Sequence, residues 1–144
     1  MIAVCDANVL ASGFVGFTRT DSTPGEILRR WRLDEFTLVY SREIRRELER
    51  TLEKPYFRQR RTLGELHNAL ELLDDWAAQT ELTVAVAGIV ADPDDDHVLA
   101  AAISSSAEYL VTGDRELQAL GTYQGVHIVS PREFLTILDG ADRA

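Results

Sequence analysis

The chain has 144 residues, of which 45% are hydrophobic and 27% are charged. This is ordinary globular usage and excludes a disordered or fibrous protein. A chain of this size buries enough surface for one core, so a single domain over residues 1–144 is expected. The formal net charge of −9 argues, taken alone, against a nucleic-acid partner.

Cysteine content and hydropathy bear on the compartment. Cys5 is the sole cysteine, and no paired Cys or Cys/His spacing for zinc is present, which favours a reducing environment. No apolar run reaches the roughly 18 to 20 residues of a membrane helix. The first residues also lack the basic region and long apolar stretch of a signal peptide. We therefore expect a cytoplasmic protein with no membrane association.

Short apolar runs alternate with amphipathic patterns along the chain. Strands are predicted for residues 2–5, 37–40, 109–112 and 127–129, with a further one suggested at 83–86. Helices are predicted for residues 25–32, 42–53, 63–79, 93–106, 115–120 and 131–138. Residues 13–25, rich in Gly, Thr and Ser, are typical of a loop. This alternation predicts an α/β fold, with a parallel sheet and helices on both faces.

Two acidic residues end predicted strands. Asp6 follows the first strand and Asp114 follows the run at 109–112. Sites in open parallel sheets lie outside the carboxyl ends of the strands, so both acids are expected at one edge. A carboxylate that ends a buried strand costs free energy unless it is paired, hydrogen-bonded or bound to metal. Asp114 has the alternative of simply capping the next helix.

Helix phase selects two more acids. In the helix after Pro93, Asp95 lies on the face of Leu99, whereas Asp94 and Asp96 point to the flanks. In the helix from Arg42, Glu47 falls beside the apolar stripe. Capping explains the acids at 92–96 equally well, and Glu47 alone is more typical of a solvated helix charge.

Together, Asp6, Glu47, Asp95 and Asp114 form a candidate oxygen-rich cluster. Four adjacent carboxylates repel one another and retain protons unless a divalent cation neutralises them. Oxygen ligands select Mg²⁺ or Mn²⁺. Such an ion activates water and stabilises charge on a phosphate, which favours phosphodiester cleavage. The histidines at 67, 97 and 127 share no ligand spacing; each is interpreted as structural or solvated, with His97 a candidate near the metal.

Five segments, in this order and spacing, resemble the PIN-domain family and its toxin branch of VapC-like ribonucleases. They are residues 4–10 (VCDANVL), 41–48 (SREIRREL), 54–57 (KPYF), 92–99 (DPDDDHVL) and 109–117 (YLVTGDREL). The resemblance implies a three-layer α/β/α sandwich around a mostly parallel sheet of about four to five strands. It also implies metal-dependent RNA cleavage, a small antitoxin partner and, often, a homodimer.

The resemblance also implies roles for individual residues. Asp6, Glu47, Asp95 and Asp114 match the family's acidic quartet, which binds Mg²⁺ or Mn²⁺. Asn8 and Thr112 match its supporting polar positions: Asn8 would hold Asp6 or a metal-bound water, and the Thr112 hydroxyl would donate to Asp114. Turn chemistry explains these two equally well. Asp96 and Glu116 are secondary acids.

Basic residues concentrate in one part of the chain. Residues 29–61 hold eleven basic and six acidic residues, a net charge of +5, which leaves −14 for the remainder. Arginine suits phosphate binding, and we expect Arg45, Arg46 and Arg50, beside Glu47, to contact RNA. Tyr56 and Phe57 are candidates for base stacking, although a core role is favoured for both.

Three other functions are alternatives to the ribonuclease. One is a catalytically inert PIN-like module that binds RNA or a partner. A receiver-type phosphoacceptor wants two adjacent acids after the first strand and a late Lys, but Asp6 is followed by Ala7 and Asn8, and Lys54 is the sole lysine. A haloacid-dehalogenase-type phosphatase needs a second Asp where Asn8 stands.

Overall fold

The structure is a computed structural model that describes residues 1–86, 88–89 and 93–142, with the backbone alone at 93–95 and 142. Its strands are β1 (Ile2–Cys5), β2 (Thr37–Ser41), β3 (Ala78–Thr80), β4 (Tyr109–Val111), β5 (Thr122–Tyr123) and β6 (Val126–Val129). Its helices are α1 (Ala7–Val15), α2 (Thr23–Arg32), α3 (Arg42–Leu52), α4 (Pro55–Arg58), α5 (Leu63–Trp76), α6 (Pro93–Ser104), α7 (Arg115–Ala119) and α8 (Pro131–Asp142).

The strands form one sheet in the order β3-β2-β1-β4-β6-β5. All neighbours are parallel except β5, which runs antiparallel to β6. Val4 is paired with Val39 of β2 on one side and Leu110 of β4 on the other. The chain order reverses between β1 and β4, and this switch point opens a crevice at the carboxyl ends of the two strands.

Helices flank this sheet in an α/β/α arrangement, as the sequence predicted. The central strands are apolar along their length because they are covered on both faces. The core is built from fully buried side chains of strands and helices, among them Val4, Leu10, Leu38, Leu48, Leu99, Leu110 and Phe134. None of the helices in the described ranges is long and apolar enough to cross a membrane.

Several element boundaries differ from the sequence predictions. The predicted loop at 13–25 begins with the last turn of α1 and ends with the first turn of α2. The helix predicted to reach residue 79 ends at Trp76, because Ala77 is extended and Ala78 pairs with Val39 of β2. The strand suggested at 83–86 is absent from the described chain. Helix α1 and the short helix α4 were not predicted.

Candidate active site

Three polar residues meet at the switch point between β1 and β4. Asp6 directly follows β1, and its backbone N–H donates to Val111 of β4 at 3.1 Å. Thr112 directly follows β4 and is fully buried. Asp114, two residues later, is the N-cap of α7. Because β1 and β4 are parallel neighbours, Asp6 and Asp114 lie at the same edge of the sheet, where the sequence predicted them.

The Asp6 carboxylate is held by two donors. Oδ1 accepts a hydrogen bond from the backbone N–H of Val9 at 2.8 Å, which caps α1. Oδ2 accepts a hydrogen bond from the Thr112 hydroxyl. Burial nevertheless raises the pKa of Asp6 above its ordinary value, and the nearby carboxylates of Glu47 and Asp114 raise it further. The site therefore concentrates negative charge that a cation would relieve.

Thr112 links Asp6 to Asp114. Its hydroxyl donates to Asp6, which corrects the expectation from the family resemblance that it would donate to Asp114; the hydroxyl oxygen instead accepts the backbone N–H of Asp114 at 3.0 Å. The amide of Gln118 donates to the Thr112 carbonyl at 2.6 Å. Oδ1 of Asp114 accepts the N–H groups of Glu116 (2.8 Å) and Leu117 (3.1 Å). Asp114 therefore caps α7 and lines the cleft at the same time, because the capping hydrogen bonds fix the direction of its carboxylate.

Glu47 reaches the same edge from α3. Nε2 of His97, on α6, lies 3.0 Å from Oε2 of Glu47, so a protonated Nε2 donates to the carboxylate. The imidazole is largely buried, and its Nδ1 has no hydrogen-bond partner among the described residues. This contact lies between residues fifty positions apart. The sequence indicated His97 as a candidate near the site, but it carried no signal for its partner.

A cleft of about 300 Å³ joins these residues. Its walls are formed by Asp6, Ala7, Asn8, Glu47, Val98, Gly113 and Asp114. Three of the four predicted acidic ligands thus line one cleft, whereas the side chain of the fourth, Asp95, lies outside the described residues. Among the described side chains, no group of three or more His, Cys, Asp or Glu residues is arranged to hold a metal ion.

The predicted supporting residues have different surroundings. Asn8 is exposed at the rim of the cleft, and within the described chain Asp6 is held by Val9 and Thr112 rather than by Asn8. Asp96 is buried instead of pointing to a solvated flank. Its Oδ2 accepts the N–H of Gly88 at 3.2 Å, while Oδ1 has no hydrogen-bond partner among the described residues. Glu116 is exposed in the first turn of α7.

Several arginines of the basic stretch are engaged within the protein. Arg45 forms two 2.7 Å hydrogen bonds to Asp74 of α5 and also binds Glu49. Arg30 is buried between Glu35 and Asp139. Arg46 and Arg50, by contrast, are exposed and form no ion pair with other described residues.

Comparison with known proteins identifies the family. Residues 3–116 match the family described as PIN domain. The matched stretch runs from β1 into α7 and includes Asp6, Glu47 and Asp114. No curated protein matches the chain. Because the match spans well over half of its length, the chain belongs to the PIN domain family.

Proposed function

We propose that this PIN domain is a metal-dependent endoribonuclease that hydrolyses RNA phosphodiester bonds. PIN domains are generally nucleases. The observation that carries the proposal is the cleft at the switch point, which Asp6, Glu47 and Asp114 line together. Burial raises the pKa of Asp6, and the two neighbouring carboxylates raise it further. A cluster of carboxylates destabilises a protein unless the carboxylates bind a cation.

The donor chemistry fits Mg²⁺ or Mn²⁺. Carboxylate oxygens of Asp6, Glu47 and Asp114, together with Asp95, would hold the ion. When bound, such an ion lowers the pKa of a coordinated water and stabilises charge on the phosphate. The protein's own contribution is positioning: Val9 and Thr112 fix Asp6, and the cap of α7 fixes Asp114.

Four further residues are proposed to support the acids. Thr112 positions Asp6 by donating to it. Asn8, exposed at the rim, is free to contact the substrate or a water at the cleft mouth. Asp96 holds the backbone at Gly88 and so orients the start of α6. Glu116 is a secondary acid beside Asp114.

RNA contacts are proposed on the exposed side of α3. Arg46 and Arg50 are exposed near Glu47 and suit phosphate recognition. Arg45 belongs to the same group, but its ion pairs with Asp74 and Glu49 make it chiefly a support for α3 and α5. Loss of Arg46 and Arg50 together should weaken RNA binding and flatten its salt dependence.

The biological setting is proposed from the resemblance of the five motifs to the toxin branch. In this setting the protein is a cytoplasmic toxin that pairs with a small antitoxin and forms a homodimer. The alternative is a catalytically inert PIN module that binds RNA or a partner. It is favoured by one observation, the lack of a three-ligand metal group among the described side chains.

Cleavage of single-stranded RNA by the purified protein tests the proposal. We expect cleavage with Mn²⁺ or Mg²⁺, none with excess chelator, and none by Asp6→Asn. Because Asn retains an acceptor for the Val9 N–H, this variant should keep its fold, which circular dichroism checks. Asp6→Asn cleaving at the wild-type rate would refute the mechanism, and a wild-type protein that binds RNA without cutting it would establish the inert module.

A further inference from the structure

We infer that the surface around α4 binds the part of a single-stranded RNA that extends out of the cleft. This α4 surface consists of Lys54, Tyr56, Arg58 and Arg60. The inference rests on the proposed ribonuclease function and adds a second place of contact with the RNA. It concerns residues beyond the acidic cleft and beyond the arginines at 45, 46 and 50.

The α4 surface is a local excess of positive charge in an acidic protein. Residues 54–61 (KPYFRQRR) contain four basic residues and no acidic one. Lys54, Arg58 and Arg60 are exposed, and none of them forms an ion pair with another residue in the described part of the chain. Uncompensated cations on a chain of net charge −9 are suited to a polyanion such as the RNA backbone.

Tyr56 and Arg60 form a cation–π stack within this surface. The Arg60 guanidinium carbon lies 3.5 Å from the centroid of the Tyr56 ring, and its Nη1 donates to the Tyr56 carbonyl at 2.8 Å. Tyr56 is 53% exposed. The ring also makes an edge contact, at 5.0 Å between centroids, with the buried Phe57, which anchors it.

This stack indicates which form of RNA the surface accepts. A guanidinium and a phenol ring present planar faces on which an unpaired base stacks. Bases within a duplex are already stacked and expose no free face. An acidic protein segment would satisfy the charges of Lys54 and Arg58 but would make no use of the planar pair. The geometry therefore favours single-stranded RNA over an acidic peptide.

Two helices connect the cleft to the α4 surface. Arg50 follows Glu47 by one turn on α3, and α3 leads directly into Lys54 and α4. Arg61 donates to the carbonyl of Val15 at 2.6 Å, which ties the end of this segment to the end of α1. Helix α1 begins directly after Asp6 and rises about 13 Å. About four stacked nucleotides therefore cover the distance from the cleft to the far end of α1.

Binding of a short fluorescein-labelled oligouridine, measured by fluorescence polarisation with chelator present, tests the inference. Tyr56→Ala and Arg60→Lys should each weaken binding about fivefold or more, because each removes half of the stack. Tyr56→Phe keeps the ring and should bind as the wild type does. Arg132→Ala removes an exposed cation on α8 and is the control for charge alone. Lys54→Ala with Arg58→Ala should lower the salt slope by about 0.7 per lost phosphate contact.

The possible outcomes separate this inference from the proposed function. If the wild type cleaves RNA with Mn²⁺ while Tyr56→Ala and Arg60→Lys bind oligouridine unchanged, the α4 surface is not a contact and the ribonuclease proposal stands. If Tyr56→Ala and Arg60→Lys lost as much affinity for a blunt RNA duplex as for oligouridine, the assignment to single-stranded RNA would be overturned. Loss of binding to an oligoglutamate peptide, with RNA binding intact, would assign the surface to an acidic protein. A wild type that neither binds nor cleaves RNA defeats both. Matching melting temperatures confirm that each variant is folded.

Discussion

Asp6 has two tasks whose requirements conflict. As the N-cap of α1 it accepts the Val9 N–H, which stabilises the helix. As an acid of the cleft it lies close to Glu47 and Asp114, and burial together with their charge raises its pKa. Because its pKa is raised on folding, Asp6 costs stability at neutral pH in the absence of a cation.

Neutralising Asp6 should stabilise the metal-free protein. At pH 7 the raised pKa of Asp6 costs the wild type stability that Asp6→Asn does not lose, so the variant should melt a few degrees higher in chelator. The difference should shrink once the pH falls below the raised pKa of Asp6 and vanish below the ordinary pKa of an aspartate, because the carboxyl is then protonated in both the folded and the unfolded wild type. Glu81→Gln, at an exposed carboxyl, is the matched control and should not change the melting temperature. Asp6→Asn melting below the wild type would mean that the cap outweighs the charge.

His97 is predicted to position Glu47. Since its Nε2 lies 3.0 Å from the Glu47 carboxylate, His97→Leu should lower kcat about tenfold with little change in KM for RNA. His97→Gln offers an amide donor in a similar place and should recover most of the rate. The exposed His67, changed to Leu, is the control. Equal rates for His97→Leu and the wild type would reduce the contact to packing.

The acids of the cleft were predictable because they follow elements that the sequence defines. Asp6 and Asp114 end apolar runs, and Glu47 lies beside the apolar stripe of a strongly amphipathic helix. The hydrogen-bond partners of these acids were harder to predict. The Thr112 hydroxyl binds Asp6, 106 positions away, instead of nearby Asp114, and such a choice depends on the pairing of β1 with β4. Asp96 likewise is buried and accepts the N–H of Gly88, a contact that the periodicity of its own helix does not predict.

At the scale of elements, α1 and α2 show how tertiary packing overrides local composition. Gly13 and Gly25 helped to predict a loop, yet both lie in helices. A Cβ at Gly25 would lie 2.1 Å from the carbonyl oxygen of Gly16. These glycines are therefore present for close approach, and their poor helix propensity is offset by contacts that the sequence pattern does not reveal.

Gly25→Ala should accordingly destabilise the protein by about 2 kcal/mol, since the added methyl meets backbone that cannot move aside. Gly140→Ala in α8 is the matched control. Its Cβ would meet nothing within 4 Å, so helix propensity alone predicts a gain of up to about 1 kcal/mol. Urea unfolding measures both. If Gly25→Ala is as stable as the wild type, the close approach is not a constraint.

The fold itself was predictable from the alternation of apolar runs and helical patterns, which gave the four central strands and six of the helices. The two edge strands, β3 and β5, could not be predicted in this way. β3 is three residues long and exposed on most of its length, and β5 has two residues. Strands this short have no periodicity of their own, and they form because β2 and β6 offer unpaired backbone groups beside them.

Across the whole molecule, charge is segregated rather than uniform. The net charge of −9 combines an acidic remainder with the basic stretch at 29–61. Within that stretch Arg30 and Arg45 are neutralised by internal ion pairs, so the cations left exposed are fewer than the sequence suggested. They lie along α3 and α4, the elements that lead away from Glu47. Overall acidity is therefore compatible with RNA binding at this one surface.

The location of Mn²⁺ in anomalous diffraction from crystals grown with the ion tests the central claim most directly. We predict a peak in the cleft at the carboxylates of Asp6 and Asp114, present in the wild type and lost in Asp6→Asn. A wild type that cleaves RNA at the same Mn²⁺ concentration but shows no peak in this cleft would contradict the account.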